Sequence, residues 1–238
     1  MALPQGRNHH KPSYAAMVEA MDQSVGKVLK KINALGLDDK TIIIFTSDNG
    51  PMGANSVAKP LRGTKGMLYE GGIRVPFFIR WPEMTRKGMV DETPIIGSDI
   101  YPTLLELIGH KSGGQLFDGK SFVDAMNGKL MEDRPIFWHF PAYLEMGKRD
   151  RARQNSHDGP NFRTTPCSVV RYGDWKLIRY YETDDIELFN LKEDIGESRN
   201  LADVEKEKKM ELEQILEDWL NETKAPLPTE INPEYIGK

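Results

Sequence analysis

Thr41-Ile42-Ile43-Ile44-Phe45-Thr46-Ser47-Asp48-Asn49-Gly50 is the stretch around which the rest of the chain is organised. Ile42 to Thr46 is apolar except for its last residue, is β-branched at every position but Phe45, and shows no polar alternation. That pattern predicts a strand buried on both faces, as inside a parallel sheet. The run stops at Ser47-Asp48-Asn49-Gly50, followed by Pro51. In open α/β sheets, ligands sit beyond the carboxyl ends of the strands. A carboxylate beside a carboxamide at such a point offers hard oxygen donors, suited to Ca²⁺ or Mg²⁺ rather than a soft metal. Asp-Asn-Gly also favours a turn for purely local reasons, so this stretch alone is consistent with either reading.

Working outward, Pro12 and Ser13 open a helix. Tyr14, Met17, Val18, Met21, Val25, Val28, Leu29, Ile32 and Leu35 recur at three and four residues, an amphipathic face on which Met17 and Met21 are expected to be core. Gly36 is the expected helix stop. On the other side, residues 50–74 form a Gly- and Pro-rich loop too long for a simple connector, and such loops tend to carry function. It holds Lys59, Arg62, Lys65 and Arg74 against one acid, Glu70. A basic loop beside a hard-cation site suits an anionic ester, whose growing charge the cations neutralise. A solvated loop with charges for solubility fits the composition equally well.

Val75 to Trp81 predicts a second strand, and Ser98 or Asp99 predicts the cap of a helix running to Ile108. After a linker at 110–133 the composition changes. Pro135–Phe140, Ser168–Tyr172, Trp175–Tyr181 and Glu187–Leu191 predict four short strands, with a tight turn at Gly173-Asp174. A polar, basic stretch at 147–165 is expected to be a mobile loop. Met210, Leu212, Ile215, Leu216, Trp219 and Leu220 mark one face of a closing helix over about 204–223. Two domains are expected: an α/β part over 1–125, and an antiparallel-sheet subdomain with its terminal helix over 134–238.

Bulk properties narrow the function classes. The 238 residues, 39% hydrophobic and 29% charged, have a globular composition. A net charge of −4 without a basic stripe argues against nucleic acid as a partner. No apolar run is long enough to cross a bilayer. The single cysteine, Cys167, excludes an internal disulfide framework and a Cys-based zinc site. The first residues lack the charged and apolar regions of a signal peptide, which leaves localisation open. His9 and His10 are adjacent and so diverge in direction, which predicts a tail or loop rather than a metal pair.

Ser47-Asp48-Asn49-Gly50 followed by Pro60-Leu61-Arg62-Gly63-Thr64-Lys65-Gly66-Met67-Leu68-Tyr69-Glu70-Gly71-Gly72-Ile73-Arg74-Val75-Pro76 resembles the C-terminal half of a formylglycine-dependent sulfatase of the arylsulfatase type. So do Tyr14-Ala15-Ala16-Met17-Val18 with Asp22 and Gly26, Asp99 to Leu107, Trp138-His139-Phe140-Pro141, and Val170 to Ile178. The resemblance implies an α/β fold: the C-terminal portion of an alkaline-phosphatase-like α/β/α sandwich, plus a small C-terminal α+β subdomain with an antiparallel sheet and a packed helix. It implies that Asp48 and Asn49 are two ligands of Ca²⁺ rather than Mg²⁺, and that Lys65 binds the sulfate ester and assists its leaving group. The substrate class would be a small-molecule or carbohydrate sulfate ester. His139 and Tyr143 are candidate substrate contacts, with His139 as an ordinary strand neighbour the alternative. A periplasmic, secreted or lysosomal location is the family's expectation, and oligomeric state is left open.

One departure matters. The family nucleophile is a formylglycine made within a C/S-x-P-x-R motif, and no such motif occurs in these residues; Cys167 lies in Thr165-Pro166-Cys167-Ser168-Val169. The family's first metal aspartates, second sulfate-binding lysine and catalytic histidines also belong upstream. The chain is therefore expected to be a fragment whose α/β part is incomplete, folding poorly over 1–125 and inactive alone. A phosphoester or phosphonate hydrolase of the same superfamily, and a non-catalytic remnant, are the alternatives.

Overall fold

The computed structural model describes residues 11–53, 56, 58–85, 87–110, 114–145 and 162–228. His9, His10 and most of the expected 147–165 loop lie outside them. In chain order the elements are helix α1 (Pro12–Ala34), strand β1 (Ile43–Thr46), helix α2 (Glu70–Ile73), β2 (Phe77–Arg80), α3 (Ile100–Leu107), α4 (Val123–Met126), β3 (Ile136–Phe140), β4 (Leu144–Glu145), β5 (Phe162–Thr164), β6 (Cys167–Tyr172), β7 (Trp175–Tyr180), β8 (Ile186–Asn190) and α5 (Lys206–Thr223). No helix among the described residues is long and apolar enough to cross a membrane. The chain divides into two compact units interleaved in sequence, one from 1–23, 46–76 and 134–238, the other from 24–45 and 77–133.

The first unit is built on an antiparallel sheet ordered β3-β6-β7-β8. Gly173, at φ 57°, supplies the left-handed residue that lets β6 turn directly into β7, with Tyr172 opposite Trp175. Val169 and Val170 are both fully buried, as are Leu177 and Ile178, because the sheet is covered on both faces. On one face, Cys167, Val169, Ile178, Tyr180, Phe189 and Leu191 pack with Met67 and Tyr69 of the glycine-rich loop. On the other, Val170, Leu177 and Leu188 pack with Leu212, Leu216 and Leu220, which lie one turn apart along α5. Each such leucine contributes about 1.5–3 kcal/mol of burial. Phe137 stacks on Trp219 with centroids 4.6 Å apart and planes 5° off parallel.

Two strands in this unit escaped the sequence reading. Phe162-Arg163-Thr164, within the expected 147–165 loop, pairs with Leu144-Glu145 as β5 with β4. Segments of two and three residues are too short to show a period.

Among the described residues, the second unit pairs β1 with β2 alone. Here the expected burial of β1 on both faces does not hold: Ile43 and Ile44 are half-buried, and Phe45 and Thr46 are exposed. A two-stranded ribbon has too few neighbours to cover both faces. Phe45 meets Phe78 at 6.1 Å between centroids, and Arg80 is ion-paired with Asp38. The Arg80 guanidinium also helps to hold the Asp38 carboxyl below its usual range, after the stronger influence of the Asn33 side-chain amide. Phe122, Ala125 and Met126 form a small core with Phe77, Ile79 and Trp81. Asp99 occupies the N-cap position of α3, as expected, but its carboxylate makes no cap bond to that helix and instead accepts from the Ile96 and Lys120 amides, both at 2.8 Å. The core assignment of Met17 and Met21 also fails. No residue of α1 is buried, and these two are 69% and 50% exposed, because nothing among the described residues covers that stripe.

Candidate functional site

β1 ends at Thr46, and the next three residues form a tight turn. The Ser47 hydroxyl donates to the Asn49 carbonyl at 3.1 Å, and the Asn49 amide donates to Asp48 Oδ1 at 3.0 Å. Asp48 is exposed and Asn49 half-buried. The chain thus bends at Asp48-Asn49 directly after the strand, with its local bonds made through the Ser47 and Asp48 side chains.

Backbone bonds then fold the glycine-rich loop back onto this turn. The Gly50 amide donates to the Gly72 carbonyl at 2.9 Å, and the Lys65 amide donates to the Pro51 carbonyl at 2.9 Å. The Lys65 peptide is thereby bonded two residues past Asn49. A Cβ on Gly50 would lie 1.9 Å from the Gly71 carbonyl oxygen, so this closure requires glycine. Lys65 itself is exposed at the loop tip.

The β4–β5 hairpin abuts the tip. Arg163 Nη1 donates to the Lys65 carbonyl at 3.1 Å. A Cβ on Gly66 would meet Leu144 Cδ2 at 2.4 Å, which shows how closely the hairpin approaches. Tyr143 precedes Leu144 and packs its ring 5.3 Å from that of Phe162.

His139 is placed differently. Its Nδ1 lies 2.7 Å from Ser168 Oγ and its Nε2 2.8 Å from the Pro226 carbonyl oxygen. A carbonyl only accepts, so Nε2 carries a hydrogen; in the neutral ring Nδ1 then accepts from the Ser168 hydroxyl. Ser168 in turn lies 2.7 Å from the Tyr181 hydroxyl. Both ring nitrogens are engaged inside the subdomain.

The residues that hold the loop went unnoticed in the sequence. Lys176, fully buried in β7, places Nζ 3.0 Å from Glu70 Oε1 and 2.7 Å from Glu197 Oε1. Glu197 Oε2 accepts the Glu70 amide at 2.7 Å. Burial pushes the Glu197 carboxyl up, outweighing the pull of Lys176. Arg62 stacks 3.9 Å above the Tyr69 ring and lies 3.5 Å from Glu187 Oε1. The Tyr69 hydroxyl donates to Glu187 Oε2 at 2.5 Å, and burial pushes that phenol far above its ordinary range. The available signal was a lysine and a glutamate inside otherwise apolar runs, Trp175-Lys176-Leu177-Ile178 and Ile186-Glu187-Leu188-Phe189. Strand alternation puts Lys176 on the face of Ile178 and Tyr180, and Glu187 on that of Phe189, but it does not say which distant groups pair their charges.

In donor chemistry, Asp48 and Asn49 would fit part of a Ca²⁺ shell. Among the described residues, however, no group of three or more His, Cys, Asp or Glu converges on a point. Ca²⁺ takes six to eight oxygens, so further ligands must come from elsewhere.

Hard oxygen donors and an exposed cation, drawn together by the loop, make a candidate site for an anionic ester. Comparison with known proteins agrees with that class. Residues 3–110 match the sulfatase family model, and 64–225, well over half of the chain, match the C-terminal model of N-sulphoglucosamine sulphohydrolase. The chain belongs to the sulfatase family. A sulfatase of Formosa agariphila is 35% identical over 213 residues, covering 81% of this chain and 36% of that relative. The solved structure of Ps i-CgsB in complex with k-i-k-neocarrahexaose superposes with a TM-score of 0.72 at 26% identity, covering 94% of this chain and 45% of that one. That of BT4656 with its substrate D-glucosamine-2-N,6-O-disulfate gives 0.69 at 25% identity, over 93% and 42%. The fold is thus that of the alkaline-phosphatase-like sulfatases, ending in an antiparallel sheet and a helix. The chain spans less than half the length of each of these relatives.

Proposed function

We propose that this chain supplies the Lys65 side of a sulfuric ester hydrolase site acting on a sulfated carbohydrate. The observation that carries the reading is the bond from the Lys65 amide to the Pro51 carbonyl, which fixes the lysine beside the Asp48-Asn49 turn. The Lys65 ammonium pairs with the anionic sulfate and supports the bridging oxygen as the sulfur–oxygen bond breaks. Asp48 and Asn49 would supply oxygen ligands to a Ca²⁺ ion, whose charge would neutralise the sulfate. The relatives solved with neocarrahexaose and with a glucosamine disulfate support a sugar substrate. Tyr143, the residue before the Leu144 that packs on Gly66, is the candidate sugar contact. His139 has its nitrogens engaged within the fold, and the geometry favours a positioning role for it.

The nucleophile must come from polypeptide outside these residues, which contain no C/S-x-P-x-R segment. Fusing the chain behind the part of the Formosa agariphila sulfatase that precedes the matched region provides the test. Hydrolysis of 4-nitrophenyl sulfate by that fusion is expected to fall about 10²–10³-fold on Lys65→Ala, while the 238 residues alone turn over none. An unaffected rate in the variant, or turnover by the chain alone that the variant abolishes, would overturn the reading.

A further inference from the structure

Lys65 sits on a loop whose two legs are pinned to the sheet by buried charge. Glu197, in the turn after β8, touches the loop at several points. Its backbone carbonyl accepts from Arg62 Nη1 at 3.0 Å, on the incoming leg. Its carboxylate accepts the Glu70 amide at 2.7 Å, on the outgoing leg. The preceding Gly196 lies so close to Pro60 that a Cβ there would approach the Pro60 carbonyl oxygen to 3.2 Å. Lys176 completes the grip by bridging Glu197 and Glu70.

The backbone supplies an independent observation. Glu197 adopts φ 51°, a left-handed conformation unfavourable for a residue with a Cβ, and it is fully buried. Glycine would satisfy the backbone better, and an apolar residue would satisfy the burial. Glutamate meets neither demand, and what it adds is a carboxylate that Glu70 and Lys176 both use. Strained residues of this kind persist where the surroundings over-determine them.

We infer that Glu197, acting through Glu70 with Lys176, is a positioning residue that holds the Arg62–Glu70 loop and so fixes Lys65. The inference builds on the proposed role of Lys65, but its test reads the loop rather than the chemistry.

Amide hydrogen exchange on the 238-residue chain reports the loop directly, since Lys65, Glu70, Gly71 and Gly72 all donate bonds within the loop or to Glu197. Glu197→Gly is expected to speed exchange at these four amides about tenfold or more, with Val169, Val170 and Leu177 within about twofold of the parent. Glu197→Gln keeps an acceptor but loses the charge, and should give roughly a threefold rise at the same amides. Unchanged loop exchange in either variant, or an equal rise in the sheet, overturns the inference. In the active fusion, Glu197→Gln should lower kcat for 4-nitrophenyl sulfate with KM nearly unchanged; an unchanged kcat would overturn the link to Lys65. If Lys65→Ala spares turnover while the exchange pattern holds, the proposed role of Lys65 fails and the hold of Glu197 on the loop stands.

Discussion

The Lys65 amide donates to the Pro51 carbonyl at 2.9 Å, so a lysine distant in sequence has its main chain fastened to the turn that presents Asp48 and Asn49. This single bond converts a basic loop and a polar turn, each ordinary alone, into one locus. It depends on glycines that let strands of loop backbone pass closely.

Gly72 is the sharpest test of that dependence. A Cβ there would lie 2.0 Å from the Met67 carbonyl oxygen, a backbone atom that cannot swing away. Gly72→Ala is expected to destabilise the sheet-containing unit by about 1–3 kcal/mol in urea denaturation. It should also release the Gly50 and Lys65 amides to exchange.

Calcium binding separates a complete site from a partial one. Two side chains fall short of the six to eight oxygens Ca²⁺ requires. Calorimetric titration of the 238 residues should show no micromolar binding. In the active fusion, Asp48→Ala should weaken calcium affinity and reduce turnover. Tight binding by the chain alone would contradict the partial site.

His139 should matter to stability and little to substrate. Removing its ring leaves Ser168 Oγ and the Pro226 carbonyl without that partner. His139→Ala is expected to lower stability by about 1–3 kcal/mol, with KM for a sulfated sugar in the fusion unchanged. A raised KM for the sugar but not for 4-nitrophenyl sulfate would instead make it a substrate contact.

Asp194 gives the turn before Glu197 an acid sensitivity. Burial alone would raise its carboxyl, but the Arg199 and Ser198 amides, at 2.9 and 2.7 Å from Oδ2, with the Ser198 hydroxyl, hold it below the ordinary carboxylate range. A carboxyl whose folded value is depressed contributes stability that is fully present above about pH 4 and lost as pH falls through the folded value. Exchange at Ser198 and Arg199 should therefore show a protection loss below about pH 4 that Asp194→Asn removes. The same loss in the variant would assign it to another group.

Much of the fold was legible in local pattern. The turn at Gly173-Asp174 needs a left-handed residue, and the leucines of α5 recur at helical spacing, so strands β6 and β7 and the closing helix follow from short-range rules. Asp48, Asn49 and Lys65 stood out as residue types suited to an anionic ester, and the motif around them resembled sulfatases. What the chain alone could not disclose was which surfaces are covered. Ile42–Thr46 reads as a buried strand, yet in a two-stranded ribbon Phe45 and Thr46 face solvent; alternation puts Lys176 on the face of Ile178 and Tyr180 but gives no sign of the Glu70 and Glu197 carboxylates that pair its fully buried charge. Periodicity records how a residue alternates along its own element. Burial, and with it the pairing of a charge, is set by whatever distant segment packs against that element, and only the tertiary structure brings the two together.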